Sequence, residues 1–306
     1  MLNKKLFSNL KYYLIASAVL LITGIIVILS AGMNLSIQLG GGYQIDIKLN
    51  NTLTAENAIN GASDVLNKNH LIVEESFTQD KKIDNYASIR TNAKDFNDTI
   101  KNEIADKLGI DKSAVTVSKI GATESTSYIM YAVLGIIITA VFAFLLGLIR
   151  YSALTGISLA FITIHTTLIS TSIMIFTRVL FTTSSIISIT ALSLVALIIS
   201  IVILENNKSQ LNVITLEKGK TFSDSLILSV NKNIKMTIII SSCILLFAFI
   251  MLFAGNIASI MFSLAIIISL ISALYSSLVV GMSIEAKLHE GRAYRQKKKL
   301  SKNKSN

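Results

Sequence analysis

The sequence lacks proline and tryptophan, has a single cysteine, and carries few charged residues for its length. Cys243 stands alone in an apolar run, so the sequence contains neither a disulfide framework nor a cysteine cluster for a metal. Without proline, any break in a helix has to come from Gly, Ser or Thr. Charged residues make up 15% of the 306 residues, against about 25% in an ordinary soluble domain. This deficit argues against a soluble globular protein.

The apolar residues, 52% of the chain, are concentrated in long blocks, and the mean hydropathy is +0.63. A bilayer core about 30 Å thick is crossed by about 20 apolar residues in a helix. Six blocks are of this order, and we predict one transmembrane helix in each of them: 12–30, 127–149, 153–176, 183–204, 236–253 and 257–284. The first block follows three lysines and resembles a signal peptide, but it is long enough to span, so we interpret residues 13–31 as an uncleaved signal anchor.

Residues 33–125 have a different character, because they hold 13 of the 18 acidic residues and 10 of the 28 basic ones. Alternation of apolar and polar residues predicts four strands, with a charged turn at 79–85 between the second and the third. Thr54 is placed to cap a helix that ends near residue 67, and Gly109 to end a second helix over 93–108. The strands are predicted at 43–49, 71–78, 86–91 and 114–120. The order βαββαβ predicts a ferredoxin-like α+β domain.

The distribution of Lys and Arg predicts the orientation in the membrane. With the N-terminus inside, 17 of the 28 basic residues lie on the inner side, in residues 1–12, at Arg150, in a loop over 205–235 and in a tail over 285–306. We therefore expect a multi-pass protein of the cytoplasmic membrane with both termini in the cytoplasm and residues 33–125 outside it. The basic tail would contact anionic membrane lipids, and this clustering beside apolar blocks argues against nucleic acid as a partner.

Ionisable residues within the spans are the candidates for chemistry, because each is costly there unless it is paired or functional. His165 lies in the middle of the third block, Glu205 ends the fourth and Lys235 precedes the fifth. His165 either carries a proton or is a neutral histidine hydrogen-bonded to a neighbouring Ser or Thr. Glu205 and Lys235 are better explained as interfacial anchors than as relay groups. No catalytic triad, nucleotide loop or set of metal ligands is present, so we predict no enzyme activity, no cofactor and no metal.

This layout of one span, an outer βαββαβ domain and five further spans resembles SecF and, more loosely, SecD, of the bacterial protein-export machinery and the RND superfamily. Residues 32–42 follow the family stretch Gly-Leu-Asn-x-Gly-Ile-Asp-Phe-x-Gly-Gly. The turn at Arg150 and its spacing to His165 also fit the family, as do the runs 229–241, 252–255 and 275–277. The positions that agree in the first stretch are Gly32, Asn34, Ile37, Gly41 and Gly42.

The departures from the family pattern concern its intramembrane acids, which in relatives are thought to couple proton flow to movement of the outer domain. His165-Thr166 stands where the family has His-Asp, and Ile198-Ile199 where it has Asn-Asp. Met236, beside Lys235, replaces an Arg. The resemblance therefore implies that the chain either leaves proton transport to a SecD-like partner or has lost it.

The leading hypothesis from the resemblance is an auxiliary subunit of the protein translocase, working with a SecD-like subunit, the SecYEG channel and a translocating polypeptide. Two alternatives remain open: a small-molecule or lipid exporter of the RND superfamily, and a membrane scaffold without transport. The candidate polar or proton-relay residues are His165, Thr166, Glu205 and Lys235, and the family-like turn glycines are Gly32, Gly41 and Gly42.

Overall fold

A computed structural model describes residue 7 and residues 9–50, 52–81, 84–93, 95–122, 125–214, 221–253 and 257–304 of the chain. Within them, six helices are long and apolar enough to cross a membrane. The elements follow one another in the order α1 (Leu10–Ala31), α2 (Ile37–Gly40), β1 (Gly42–Lys48), α3 (Ala55–Lys68), β2 (Val73–Lys81), β3 (Asp84–Thr91), α4 (Asp98–Leu108), a short 3₁₀ turn (Lys112–Ala114), β4 (Val115–Ile120), α5 (Ser125–Arg150), α6 (Ala153–Phe176), α7 (Thr183–Ile214), α8 (Phe222–Leu252), α9 (Ile257–Leu274), a π-helical segment (Tyr275–Gly281) and α10 (Met282–Lys304).

The sheet domain between the first two spans has the predicted ferredoxin-like topology. Its four strands are antiparallel in the order β2-β3-β1-β4, with β1 paired to both β3 and β4. Helices α3 and α4 pack against the sheet, and the core between them is fully buried at Ile45, Ile47, Ile89, Leu66 and Ile104. The Thr54 side chain caps α3 by accepting a hydrogen bond from the Asn57 amide, as the sequence predicted.

The second helix of this domain begins later than predicted, at Asp98 rather than at 93. The reason is local, because the Asn97 side chain accepts a hydrogen bond from the Thr99 amide and so caps the helix there. Phe96 consequently lies before the helix, where its ring is 5.7 Å from the ring of Tyr43. Gly109 ends the helix in the left-handed conformation, as predicted.

The turn predicted at 79–85 is much shorter, because β2 and β3 extend into it. The register pairs Gln79 with Tyr86 and continues to Lys81 opposite Asp84. The tip of this hairpin, residues 82 and 83, lies outside the described residues.

The predicted loop over 205–235 is largely helical. Helix α7 continues to Ile214, and α8 begins at Phe222, after a capping box formed by Thr221 and Asp224. Polar residues that suggested a loop are hydrogen-bonded between the two helices: Asn206 Nδ2 donates to Asn233 Oδ1 at 2.8 Å, and Ser225 Oγ to Asn207 Oδ1 at 2.6 Å. The intervening residues 215–220 lie outside the described part.

The last span does not end at 284, because α9, the π-helical segment and α10 form one continuous helix. The segment predicted as a tail from 285 therefore begins inside the bundle, and Met282 and Ala286 are buried there. Parts of other predicted features fall outside the described residues: 1–6 and 8 of the N-terminal segment, 305 and 306 of the tail, and 254 and 255 of the family-like run 252–255.

Candidate functional site

Helix α6 is the most enclosed of the spans, with 61% of its apolar window buried, and His165 lies halfway along it. The side chain of His165 is only 5% exposed. The neighbouring buried hydroxyls on α6 donate to carbonyls one turn back in their own helix. Among these neighbours, it is therefore the imidazole of His165 that bonds to other helices. These hydroxyls belong to Thr163, Thr166, Thr167 and Ser170.

His165 joins three helices through its two ring nitrogens. Nδ1 lies 2.7 Å from Ser276 Oγ in the π-helical segment, and Nε2 lies 2.9 Å from Ser17 Oγ in α1. A neutral imidazole has one donor and one acceptor nitrogen, and each hydroxyl can act in either role. The geometry therefore supplies both partners that a neutral, buried histidine needs.

Tyr275 extends this polar cluster toward α1. Its hydroxyl donates to the carbonyl oxygen of Tyr13 at 2.8 Å and lies 3.1 Å from Ser17 Oγ. Ser17 Oγ is also 3.0 Å from the same carbonyl oxygen. The ring of Phe161 is stacked on the imidazole of His165 with 5.3 Å between centroids. The cluster is thus a hydrogen-bonded network whose imidazole is covered on one face by an aromatic ring.

The π-helical segment packs directly against α6. Single π-turns of this kind occur frequently at functional sites. A Cβ atom added at Gly281 would lie 2.3 Å from side-chain atoms of Ile162, so only glycine allows this approach. The segment carries both Tyr275 and Ser276. The break in regular geometry comes with Ser and Gly, the residue types that the lack of proline left available.

The other predicted polar residues do not join His165. Thr166 is fully buried and bonds to the Ile162 carbonyl of its own helix. Glu205 lies within α7, beside the end of α5, where it accepts hydrogen bonds from Arg150 Nη2 at 3.0 Å and from Tyr151 Oη at 2.9 Å. Lys235 is exposed on α8.

A buried acid that the sequence analysis did not single out lies at the end of the bundle opposite the sheet domain. Glu285 is 1% exposed, accepts a hydrogen bond from Thr155 Oγ1 at 2.7 Å, and lies 3.2 Å from His289 Nε2. Met282, Glu285, Ala286 and His289 recur at the spacing of one helix face, and this pattern could have indicated a buried face that continues beyond 284.

The family-like glycines lie where the bundle meets the sheet domain. Gly32 follows the end of α1 with φ of 69°, and Gly41 precedes β1 with φ of 73°. At Gly42 a Cβ atom would lie 2.2 Å from the carbonyl oxygen of Thr91. Two of these glycines therefore adopt a left-handed backbone, and the third permits close contact of β1 with β3.

The loop between α6 and α7 is hydrogen-bonded to the segment that leads into the sheet domain. The Ser36 amide donates to the Phe181 carbonyl and the Phe181 amide to the Asn34 carbonyl, both at 2.8 Å. Arg178 Nη1 donates to the Gly32 carbonyl, and the Asn34 side chain donates to the Arg178 carbonyl. These bonds tie this end of the bundle to the base of the sheet domain.

Glu74 forms a second tie at this junction. Its carboxylate accepts a hydrogen bond from the Ile37 amide at 3.0 Å. Burial raises the pKa of Glu74 to about 7, against the opposing effect of that hydrogen bond, and the neighbouring charge of Glu75 adds to the increase. The junction therefore contains a carboxyl group that changes its charge near neutral pH.

A sequence profile of the family described as protein export membrane protein SecD/SecF, C-terminal, matches residues 100–291. This match begins in α4 of the sheet domain and includes all the spans after the first. No curated protein sequence matches the chain.

Two solved structures of SecDF have a similar fold. One, in the super-membrane-facing form, has a TM-score of 0.75 and 16% sequence identity, over 95% of this chain and 40% of that one. The other is SecDF from Thermus thermophilus, a translocon-associated membrane protein, with a TM-score of 0.61 and 16% identity over 93% of this chain and 38% of that one. The chain thus spans about two fifths of the length of these proteins.

Proposed function

Because the chain belongs to the SecD/SecF family of protein export membrane proteins, we propose that it is an auxiliary, SecF-like subunit of the protein translocase. The observation that carries the proposal is that the likeness in fold includes the whole architecture: the SecDF fold extends over 95% of the chain, sheet domain and spans together. In this role it assists export across the cytoplasmic membrane with a SecD-like subunit and the SecYEG channel. Both termini then face the cytoplasm, and residues 33–125 contact the translocating polypeptide outside it.

The junction suggests how the subunit transmits movement. The loop between α6 and α7 is bonded to residues 34 and 36, directly before the sheet domain. A shift of α6 against its neighbours therefore pulls on the base of the sheet domain rather than on a free linker. In the proposed function this coupling lets changes within the bundle reorient the domain that meets the emerging chain.

We propose that His165 positions helices and does not itself carry protons. Its two bonds hold α6 against α1 and the π-helical segment, and its described contacts include no carboxylate with which it could exchange a proton. Thr166 completes the buried face of α6, and Glu205 and Lys235 anchor α7 and α8 at the membrane surface. Proton transport is then the task of a SecD-like partner, which docks on the outer faces of α5 and α8, where 17% of each apolar window is buried.

A membrane scaffold without transport is the second candidate. It is favoured by the residues at two family positions: Ile199, in place of an acid, is buried among apolar residues of the core, and Met236, in place of an Arg, is 47% exposed. A scaffold would need the helix-joining role of His165 but no partner that moves polypeptides.

Purification of the tagged chain in mild detergent, with mass spectrometry of the retained proteins, separates the two candidates. We expect SecD-like and SecY-like proteins to be retained together. An unrelated tagged six-span protein, expressed at the same level, is the control for non-specific retention. If neither protein is enriched over this control, the translocase proposal is wrong and the scaffold takes its place.

A further inference from the structure

A cavity of about 230 Å³ opens at the end of the bundle opposite the sheet domain. Its walls come from the ends of α5 and α7 and from the starts of α6, α8 and α10. The residues that give it its chemistry are Arg150, Tyr151, Thr155, Lys208, Glu285 and His289. It is separate from the His165 cluster, whose residues do not line it.

Glu285 gives the cavity a buried negative group with one unused oxygen. Oε1 is occupied by Thr155 Oγ1 and His289 Nε2, at 2.7 and 3.2 Å. Oε2 is buried and has no hydrogen-bond partner among the residues that the structure describes. A buried, unsatisfied carboxylate oxygen is costly, more so when it is charged. The site is therefore built to accept a further donor, and a cationic donor is favoured most.

His289 holds Glu285 in place rather than filling the cavity. Its ring is stacked on Phe222 with centroids 4.3 Å apart and planes 7° apart. The Thr155 hydroxyl is fixed in turn by Ser152 Oγ at 3.1 Å. The orientation of the carboxylate is thus set from two helices, with Oε2 left for a ligand.

Lys208 supplies a positive group to the same cavity. Its ammonium lies 6.0 Å from the ring centroid of Tyr151 and near enough to Glu205 to interact with its charge, but it forms no salt bridge within the described part of the chain. Arg150, the other cation of the wall, is already paired with Glu205 at 3.0 Å. The cavity therefore presents one available anion and one available cation, a pattern that complements a zwitterion.

We propose that this cavity binds the headgroup of an aminophospholipid, with the primary ammonium on Glu285 Oε2 and the phosphate on Lys208. The lipid source is favoured by position, because the cavity lies where α5 ends and α6 begins, at the level of the membrane surface. Leu204 and Leu211 continue the wall as apolar contacts for the first part of the acyl chains. The volume is suited to a headgroup and is too small for a folded segment of a partner.

The chemistry predicts which lipids are selected. Phosphatidylethanolamine has both charges and N–H donors for Glu285. Phosphatidylcholine has the same charges but no N–H group, so it leaves Oε2 without a hydrogen bond. Phosphatidylglycerol has the phosphate for Lys208 but no cation for Glu285. The expected order of retention is therefore phosphatidylethanolamine above both of the others.

Native mass spectrometry of the full chain, released from bilayer discs with equal amounts of the three lipids, tests the proposal. We expect retention of phosphatidylethanolamine over phosphatidylcholine by about tenfold or more, as a charge-assisted hydrogen bond contributes. Glu285→Gln should remove this preference, whereas Glu290→Gln should keep it, because Glu290 contacts Ser223 instead. Lys208→Gln should also lower retention, whereas Lys232→Gln, outside the cavity, should not.

The outcomes separate clearly. Equal retention of the three lipids by the unmodified chain overturns the proposal, as does a preference that survives Glu285→Gln. If Glu285→Gln fails to fold, Lys208→Gln still decides, since Lys208 is exposed and its substitution leaves the core intact. A retained polypeptide that depends on Glu285, with no lipid bound, also contradicts the proposal and assigns the cavity to a basic side chain of a protein partner.

Discussion

Breaking the hydrogen bond between His165 and Ser276 should destabilise the helix bundle by a measurable coupling energy. The bond is 2.7 Å long and buried, and a second bond of 2.9 Å joins the same ring to Ser17. Hydrogen bonds between membrane helices contribute about 0.6 kcal/mol on average and about 1.7 kcal/mol at most. The two bonds together should therefore contribute about 1 to 3 kcal/mol to the free energy of unfolding.

A double-mutant cycle with His165→Ala and Ser276→Ala isolates one of these bonds. We expect a coupling energy near the upper half of the range, about 1 to 1.7 kcal/mol, because both atoms are buried and the distance is short. The matched control is Ser277→Ala. Ser277 is the next residue of the same segment, and its hydroxyl points to the Leu274 carbonyl of its own helix.

Unfolding can be followed in mixed micelles with increasing detergent denaturant, by circular dichroism and by a fluorophore. The chain has no tryptophan, so the probe is attached at Cys243, the single cysteine, which is exposed on α8. A coupling within the additive scatter of about 0.3 to 0.5 kcal/mol would refute the helix-joining role of His165. The same conclusion follows if Ser277 couples to His165 as strongly as Ser276 does.

Three further predictions concern other parts of the molecule. The pKa of Glu74 is raised from 4.5 to about 7, so the free energy of unfolding of the junction should fall as pH rises through this window. The expected fall is about 1 to 2 kcal/mol after solvent screening, and hydrogen exchange measured at several pH values tests it. Glu74→Gln should abolish this fall, and Glu75→Gln should keep most of it. Gly42→Ala should destabilise the sheet domain by more than about 1 kcal/mol, as measured by limited proteolysis, because the added Cβ atom meets the Thr91 carbonyl oxygen. Gly121→Ala should be neutral, because a Cβ atom there would have no atom within 4 Å. Glu205→Gln should leave the stability of the bundle nearly unchanged, because its ion pair is exposed, and a clear loss of stability would contradict an anchor role.

Much of the fold could be predicted because its signals are local. Block length identified the six spans, and alternation with caps at Thr54 and Gly109 identified the βαββαβ domain. Errors arose where a single side chain sets the boundary of a helix. Asn97 caps α4, which therefore begins five residues later than the apolar pattern suggested. Hydrogen-bonded caps of this kind depend on one residue and are easily missed.

The buried polar parts were harder to predict, for a physical reason. Asn207 and Glu285 look like surface residues in a sequence, but each has a hydrogen-bond partner on another helix. Such pairing depends on tertiary contacts, which the spacing of apolar and polar residues in the sequence does not reveal. The role of Ser276 is similar, since the π-helical segment that directs it toward His165 has no sequence signature beyond its Ser and Gly content.

The central claim, that the chain assists protein export, is tested most directly by pulse-chase labelling of a secreted protein in a deletion strain. The account predicts slower conversion of precursor to mature protein in the deletion, restored by the unmodified chain and by Gly121→Ala, and restored poorly by Gly42→Ala, which disturbs the junction of the sheet domain with the bundle. Export at the normal rate in the deletion strain would contradict the account.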